Sequence, residues 1–324
     1  MSMLSVVICA HNPRPDYLLR ALGALRIQTL PFDRWEFLLI DNASKVPLTG
    51  TCDLSWHPKG RIIREEELGL THARLCAMEE ADGNILVFVD DDNLLSSDYL
   101  EGAAAIADEF PRMGAWGAGV IVPEFEAAPR PELEPYCEML ALRRVERDLW
   151  TNVPVMITEA VPYGAGLVVR GEVSQRYLGK KRSGGLIFGR TGQSLLSSED
   201  LEIAFEAAAL GLGYGVFTRL SLTHLIPARR VEPSYLLRLH EAMELSNRLL
   251  YLVHDRENGA MAPSYYQRLR AMLRLVERVV KARGVRRRFA WRQLRGNWRA
   301  FRMFDELCRT GGLSSSALIR STGG

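Results

Sequence analysis

The fold of this protein is indicated most clearly by ILVFVDDDN, residues 85–93. Its apolar half is rich in β-branched side chains, which is typical of a strand buried on both faces. Three carboxylates, Asp90, Asp91 and Asp92, follow at once. Adjacent carboxylates repel each other, and a hard cation such as Mg²⁺ or Mn²⁺ relieves that repulsion because it prefers oxygen ligands. The alternative is a solvated acidic turn that precedes the next helix.

Two earlier apolar runs repeat this pattern. LSVVICA, residues 4–10, is followed by His11-Asn12, and FLLI, residues 37–40, is followed by Asp41-Asn42. Segments with helical spacing lie between the runs, so strands alternate with helices. This alternation predicts an α/β fold with a Rossmann-like, mostly parallel central sheet and helices on both faces. Ligands of such sheets bind outside the carboxyl ends of the strands, so we expect these polar residues to line one crevice.

The charge of the chain divides it into two parts. The 324 residues include 41 Lys and Arg and 39 Asp and Glu, a net charge of +2. Residues 228–324 hold 20 basic and 8 acidic residues, whereas residues 1–227 hold 21 and 31. This asymmetry predicts an acidic domain over 1–227 and a basic, α-helical C-terminal extension over 228–324, with separate functions. Within the extension, one helix face is expected to carry the apolar residues Leu269, Met272, Leu273, Val276, Val279 and Val280.

The cysteines and the hydropathy indicate where the protein acts. Its 5 cysteines are far apart and form no CxxC pair, which is typical of a reducing compartment. No signal-peptide pattern is visible, and no apolar run reaches the ~18 residues that a membrane span needs. We therefore expect a cytoplasmic location, which also allows peripheral contact with the inner face of a membrane.

Segments after the third run are less regular. Residues 132–149 are predicted to form a helix, and the Gly-Ala-Gly segment 164–166 precedes a predicted strand over Leu167–Arg170. Residues 182–190 are rich in Gly and Arg and form either a lid over a diphosphate or an ordinary loop. Ser-Ser-Glu-Asp, residues 197–200, is predicted to open another helix.

The ordered series of motifs resembles the family 2 glycosyltransferases of GT-A fold over about residues 3–100. The series runs from the strand before Asn12, through Gln28-Thr29 and Asp-Asn-x-Ser at 41–44, to Ala73-Arg74, the DxD and Asp98-Tyr99-Leu100. One departure is Leu75, where the family usually has Asn. The resemblance implies an inverting transfer of a sugar from a nucleotide-diphosphate donor, expected to be a UDP-sugar, to an acceptor hydroxyl. It also implies a role in polysaccharide, glycolipid or glycoconjugate biosynthesis for the cell envelope.

The resemblance further implies roles for individual residues at the donor side. Asp41 would bind the nucleotide base, Arg74 would assist at the base or ribose, and Asp90 would contact the ribose. Asp91 could take the ribose or the metal. The nucleotide-sugar site implied in this way comprises Ala10, Asn12, Asp41, Arg74, Asp90 and Asp91.

The metal ligands and the catalytic pair complete the implied site. Asp92 and His224 would hold Mn²⁺ or Mg²⁺, and imidazole is a ligand that Mn²⁺ accepts. Asp200, beside Glu199, would be the general base that deprotonates the acceptor hydroxyl. The residues alone leave an alternative, because Ser-x-x-Asp at a helix start is also a capping signature.

Other classes of protein fit the sequence less well. An aspartyl phosphatase of the haloacid dehalogenase type would need Thr or Val four residues after Asp90, where this chain has Leu94. A nucleotidyltransferase would need a Gly-rich phosphate loop with Lys after the first strand, and this sequence has no such loop there. A catalytically degenerate GT-A module that only binds nucleotide is the non-enzymatic alternative.

The basic extension has several candidate partners. Its Arg-rich helices with Trp and Phe suit an anionic membrane surface. They also suit packing on the acidic domain or a homo-oligomer contact. Nucleic acid is unlikely as a partner because no known nucleic-acid-binding module is recognisable.

Overall fold

The apolar runs form the strands of a central sheet in a computed structural model that describes residues 3–153, 159–184, 195, 197–259 and 261–310. The described strands are β1 (Leu4–Ala10), β2 (Trp35–Asn42), β3 (Gly60–Glu65), β4 (Ile85–Asp90), β5 (Asn93–Leu95), β6 (Met113–Phe125), β7 (Arg143–Arg144), β8 (Leu149–Thr151), β9 (Leu167–Arg170) and β10 (Gly213–Ile226). The described α-helices are α1 (Pro15–Arg26), α2 (Leu70–Glu80), α3 (Tyr99–Glu109), α4 (Gly171–Arg182), α5 (Glu199–Ala209), α6 (Pro233–Glu257), α7 (Tyr265–Lys281) and α8 (Gly284–Thr310).

The chain divides into two compact units. The first unit comprises Met1–Glu126, Ala141–Lys180 and Glu199–Ile226. The second comprises Ala127–Leu140, Lys181–Ser198 and Pro227–Gly324. All residues after Ile226 belong to the second unit, which also includes two short segments from earlier in the chain.

The first unit contains the sheet. The strands run in the order β3-β2-β1-β4-β9-β6-β10-β5, with β7 beside β6 and β8 beside β10. Strands β3, β2, β1 and β4 are parallel, whereas β9 is antiparallel to both of its neighbours. The predicted α/β fold with a mostly parallel sheet and a helical C-terminal region is confirmed.

The three apolar runs are neighbours in this sheet. Strands β2, β1 and β4 lie side by side, and nearly every residue in them is buried. Their register pairs Ala10 with Asp41 and Cys9 with Asp90, so the polar residues that end each strand lie at one edge. Adjacent parallel strands always bring their carboxyl ends together, which is why local patterns predicted this edge.

The prediction of a helix over residues 132–149 is wrong. A 3-10 helix covers Glu134–Leu140, and the next residue, Ala141, has a left-handed φ of 57°. The chain then forms β7 against β6 and β8 against β10. Pairing with long strands overrides a weak local helical pattern.

The second unit contains three long helices. Helix α8 packs against α6, where Gly296 approaches so closely that a Cβ would meet the Glu241 carbonyl oxygen at 2.6 Å. Arg292 and Arg299 form ion pairs with the buried carboxylate of Glu241. Phe289 of α8 stacks on Tyr136 with the ring centroids 3.5 Å apart. None of the described helices combines the length and hydropathy needed to cross a bilayer.

Candidate active site

The loops that follow β1 and β2 are joined by hydrogen bonds. Asn12, at a left-handed φ of 47°, donates its backbone N–H to Ser44 Oγ (2.9 Å) and accepts from the Lys45 N–H (2.9 Å). His11 Nδ1 lies 2.7 Å from the Asn42 carbonyl oxygen. Ala10, beside them, is buried. These bonds hold the first two strand ends as one rigid rim.

Asp41 is a buried carboxylate with three donors. Its oxygens accept from the N–H groups of Ser44 (3.1 Å) and Leu48 (3.0 Å), and from Arg64 Nη1 (2.8 Å). Burial acts to raise the pKa of this carboxyl, but the hydrogen bonds from Ser44, Leu48 and Arg64 outweigh it and keep the pKa below its usual value. Asp41 is therefore an ionised acceptor at neutral pH.

The acidic turn after β4 places its three carboxylates in different surroundings. Asp90 and Asp91 are half-buried, whereas Asp92 is buried and its Oδ1 accepts from Asn93 Nδ2 (3.1 Å). Strand β5 pairs with β10 so that Asn93 lies opposite His224. As a result, His224 Nε2 is 3.5 Å from Asp92 Oδ1, and the His224 side chain is also buried.

The chemistry of this pair fits a divalent cation. A carboxylate oxygen and an imidazole nitrogen are ligands that Mn²⁺ takes together. No group of three or more His, Cys, Asp and Glu side chains within the described residues could hold a metal. A cation held by Asp92 and His224 would thus complete its shell with substrate phosphates and water, as Mg²⁺ usually does.

Arg74 and Glu199 form a buried ion pair beneath the rim. Arg74 Nη1 is 3.3 Å from Glu199 Oε2, and each side chain is 4% exposed. The Arg74 guanidinium also lies over the Phe88 ring, 5.4 Å from its centroid. Burial acts to lower the pKa of Arg74, but Glu199 and Asp90 outweigh it and keep the pKa above its usual value. Arg74 therefore stays charged and links β4, α2 and α5.

Tyr177 of α4 binds the other oxygen of the same carboxylate. Its hydroxyl donates to Glu199 Oε1 (3.3 Å). Burial, assisted by Glu199 and Glu202, raises the pKa of Tyr177 well above its ordinary value, so the hydroxyl keeps its proton. Both oxygens of Glu199 are therefore occupied by this chain's own donors.

Asp200 differs from its neighbour because it is half-buried rather than buried. Its Oδ2 accepts from the Gly164 N–H (3.2 Å) and its Oδ1 accepts from the Leu201 N–H (2.9 Å). Gly164 also lies against Arg74, since a Cβ at this glycine would be 2.8 Å from Arg74 Nη2. The Gly-Ala-Gly segment thus lies between the arginine and the carboxylate.

Sequence reasoning missed two residues of this region. Arg64 lies opposite Asp41 in the β2–β3 register, so strand pairing could have revealed it. Tyr177 carries no local signal, because only the packing of α4 against α5 brings it to Glu199. Most of the candidate lid, residues 185–190, lies outside the described residues.

Two solved structures share the fold of this chain. The mannosyltransferase PcManGT from Pyrobaculum calidifontis, in complex with GDP-Man and Mn²⁺, is similar at a TM-score of 0.53 and 19% identity, over 99% of this chain and 79% of that one. GalNAc-T7 with UDP, GalNAc and Mn²⁺ is similar at a TM-score of 0.51 and 16% identity, over 82% of this chain and 52% of that one. At such identities the likeness shows the fold, which is the GT-A fold of glycosyltransferases.

The matches in sequence cover a smaller part of this chain than the structural matches do. Residues 5–159 match the family described as Glycosyl transferase family 2. This match covers 155 of the 324 residues, just under half of the chain. The uncharacterized protein y4gI of Sinorhizobium fredii (strain NBRC 101917 / NGR234) is 29% identical over 113 residues, which are 34% of this chain and 12% of that protein. This chain thus matches only a small part of that relative.

Proposed function

We propose that the protein transfers a sugar from a nucleotide-diphosphate donor, expected to be a UDP-sugar, to an acceptor hydroxyl with inversion at the anomeric carbon. The observation that carries the proposal is the pair Glu199-Asp200, where one carboxylate is buried against Arg74 and Tyr177 and the other is more exposed. Two adjacent carboxylates in such different environments are suited to different roles.

On the donor side, the rim supports binding of the nucleotide. Asp41 is an ionised acceptor beside the rigid loop after β2, and an imide N–H such as that of uracil is a suitable donor to it. Asn12 and Ala10 would line the same pocket, and Asp90 would contact the ribose. Asp92 and His224 would hold Mn²⁺ or Mg²⁺, which neutralises charge on a diphosphate leaving group when bound.

On the acceptor side, we assign Asp200 as the general base. The acceptor oxygen attacks the anomeric carbon, its proton passes to the Asp200 carboxylate, and the bond from that carbon to the diphosphate oxygen breaks with its electron pair. The Gly164 N–H fixes one carboxylate oxygen of Asp200. Positioned proton transfer of this kind contributes about 10²–10⁴-fold to the rate.

We assign Glu199 and Arg74 as positioning residues. Glu199 is 3% exposed and packed against Arg74 and Tyr177, so it is less accessible to an acceptor than the half-buried Asp200. The pair fixes the start of α5, and with it the backbone that carries Asp200. This assignment departs from the catalytic role that the resemblance implied for Glu199 and from the base or ribose contact that it implied for Arg74.

A first experiment tests donor binding. Thermal unfolding is measured with UDP, GDP, ADP and CDP, each with and without Mn²⁺. A nucleotide at a hundred times its Kd stabilises the folded protein by about 2.7 kcal/mol, which raises Tm by several degrees. We expect the largest shift with UDP and Mn²⁺ together. No shift with any nucleoside diphosphate and metal would refute the proposal.

A second experiment tests the chemistry. Nucleotide release from UDP-sugars is measured with a panel of saccharide and lipid-linked acceptors. Asp200→Asn should keep donor binding and lose about 10²-fold or more in rate. Asp108→Asn, an exposed carboxylate of α3, is the matched control and should be active. Donor binding by the wild type without any transfer would favour the degenerate GT-A module instead.

The cytoplasmic location and the role in the cell envelope stay predictions. Fractionation of cells that produce the protein tests the location, because a cytoplasmic or peripheral enzyme separates with the cytosol or with salt-washable membranes.

A further inference from the structure

Helix α7 has an exposed apolar surface. Residues Tyr265, Tyr266, Leu269, Leu273, Val276 and Val280 form it, and we name this surface the α7 stripe. The exposed fraction of Leu273 is 59% and that of Val280 is 74%. At 100° per residue, the six side chains fall within an arc of about 100°. A continuous apolar arc of this width on one helix is not the scattered exposure of ordinary surface residues.

The α7 stripe is distinct from the face that packs on α8. On that face Val279 is buried and Arg268 forms an ion pair with Asp305 (2.6 Å) while its guanidinium lies over the Phe301 ring. On the other flank of the stripe, the helix carries Arg270, Arg274 and Lys281. The stripe is therefore bordered on one side by the packed face and on the other by cations.

Contacts within the second unit fix the direction of the stripe. Arg278, almost opposite the stripe on α7, donates to Gln293 Oε1 (3.4 Å), and Gln293 in turn donates to Glu244 of α6 (2.9 Å). That flank of α7 thus lies toward the side of α8 that contacts α6, and the α7 stripe lies on the side away from it.

Two tryptophans of α8 lie on this same side. Trp291 and Trp298 are seven residues apart and so share one face of the helix, with exposed fractions of 55% and 50%. Their face is nearly opposite Gly296, which contacts the α6 backbone. The Arg302 guanidinium lies over the Trp298 ring, 5.0 Å from its centroid. Tryptophan beside arginine is typical of side chains at the boundary between lipid and water.

We propose that the α7 stripe and the two tryptophans form a docking surface for an anionic lipid bilayer. Residues 265–302 contain 13 Lys and Arg and one acidic residue, Glu277. Three of the arginines bind Glu241 of α6, whereas Arg270 and Arg274 border the stripe and Arg302 lies against Trp298. This charge complements anionic headgroups, and the apolar arc would enter the boundary of the acyl chains. Helix α7 would lie flat along its length of about 25 Å.

The charge also decides against the other occupants. A second copy docked stripe to stripe would bring the two cationic flanks together, which is unfavourable. Nucleic acid would satisfy the cations but leave the apolar arc without a partner.

The test is vesicle sedimentation of the full chain without nucleotide, so it is independent of donor binding. Vesicles of neutral phosphatidylcholine are compared with vesicles in which about a third of the lipid is phosphatidylglycerol. We expect binding to the anionic vesicles that weakens as salt is raised. Leu273→Gln with Val280→Gln should weaken it by about tenfold or more, because two side chains leave the apolar region. Leu19→Gln, an equally exposed but isolated leucine of α1, is the matched control and should bind normally.

Circular dichroism and thermal unfolding verify that each variant is folded, and light scattering gives the oligomeric state. The proposal is overturned if the wild type does not bind anionic vesicles or if the double variant binds them as well as the wild type does. It is also overturned if the wild type is a dimer that the double variant converts to a monomer, since the stripe would then be a contact between two copies.

Discussion

Replacing Arg74 by methionine tests whether its ion pair with Glu199 stabilises the folded protein. The change removes the cation but keeps most of the side-chain volume. Glu199 would then be a carboxylate with 4% exposure whose remaining partner among the described residues is the Tyr177 hydroxyl. Breaking a buried pair on one side costs about 3–5 kcal/mol. The 3.3 Å separation is long for a charge-assisted bond, so we expect about 3 kcal/mol, at the lower end.

The matched control is Arg20→Met. Arg20 forms an ion pair of 2.6 Å with Glu124, but the two side chains are 45% and 52% exposed. A surface pair of this kind contributes less than about 1 kcal/mol. We therefore expect loss of the shorter Arg20–Glu124 pair to lower the free energy of unfolding less than loss of the longer Arg74–Glu199 pair. Burial rather than distance sets the cost of breaking each pair.

The assay is urea unfolding followed by tryptophan fluorescence. A third variant, Arg74→Met with Glu199→Met, removes both charges and should recover at least half of the loss. Equal costs for Arg74→Met and Arg20→Met would refute the reasoning. So would a double variant that is less stable than either single variant, since the buried charge would not then be the source of the loss.

Three further predictions concern stability. Gly166→Ala should cost about 2 kcal/mol or more in thermal unfolding, because φ is 74° and a Cβ would collide with the Tyr99 hydroxyl; a variant as stable as the wild type would contradict this. Burial, with Lys59 nearby, lowers the pKa of His57 from 6.5 to about 4, so only the unfolded chain binds the proton as pH falls between these values. The free energy of unfolding should drop there by about 3 kcal/mol, and His57→Gln should flatten the profile. Ser264→Ala should cost α7 about 1 kcal/mol of local stability, seen as faster amide exchange, because its capping box is lost.

The edge of the sheet could be predicted from the sequence, whereas the contacts between residues of the site could not. Strands β1, β2 and β4 were recognisable because each is a buried apolar run with a polar end. The pairing of Asp92 with His224 depends on β5 and β10, which are joined only by long-range hydrogen bonds. Arg74 and Glu199 are 125 residues apart in sequence, so no local pattern could connect them.

Helix α7 also has a feature that its sequence pattern could not predict, namely how much of its apolar face is buried. Periodicity predicted one apolar face that included both Val279 and Val280. The structure divides that face, since Val279 is buried and Val280 is exposed. Spacing defines which residues share a face, but only a neighbouring helix decides how much of the face is covered.

Local sequence patterns were enough to predict the alternating α/β pattern, the polar ends of the parallel strands and the separation of acidic and basic parts. These features follow from local hydropathy and charge, because a buried strand must be apolar and parallel strands end at one edge. Tertiary structure alone decided that Glu199 is bound by Arg74 and Tyr177 while Asp200 is more exposed, and that the α7 stripe faces outward. Burial and partnership depend on which distant segments pack together, and that packing sets the electrostatics on which function depends.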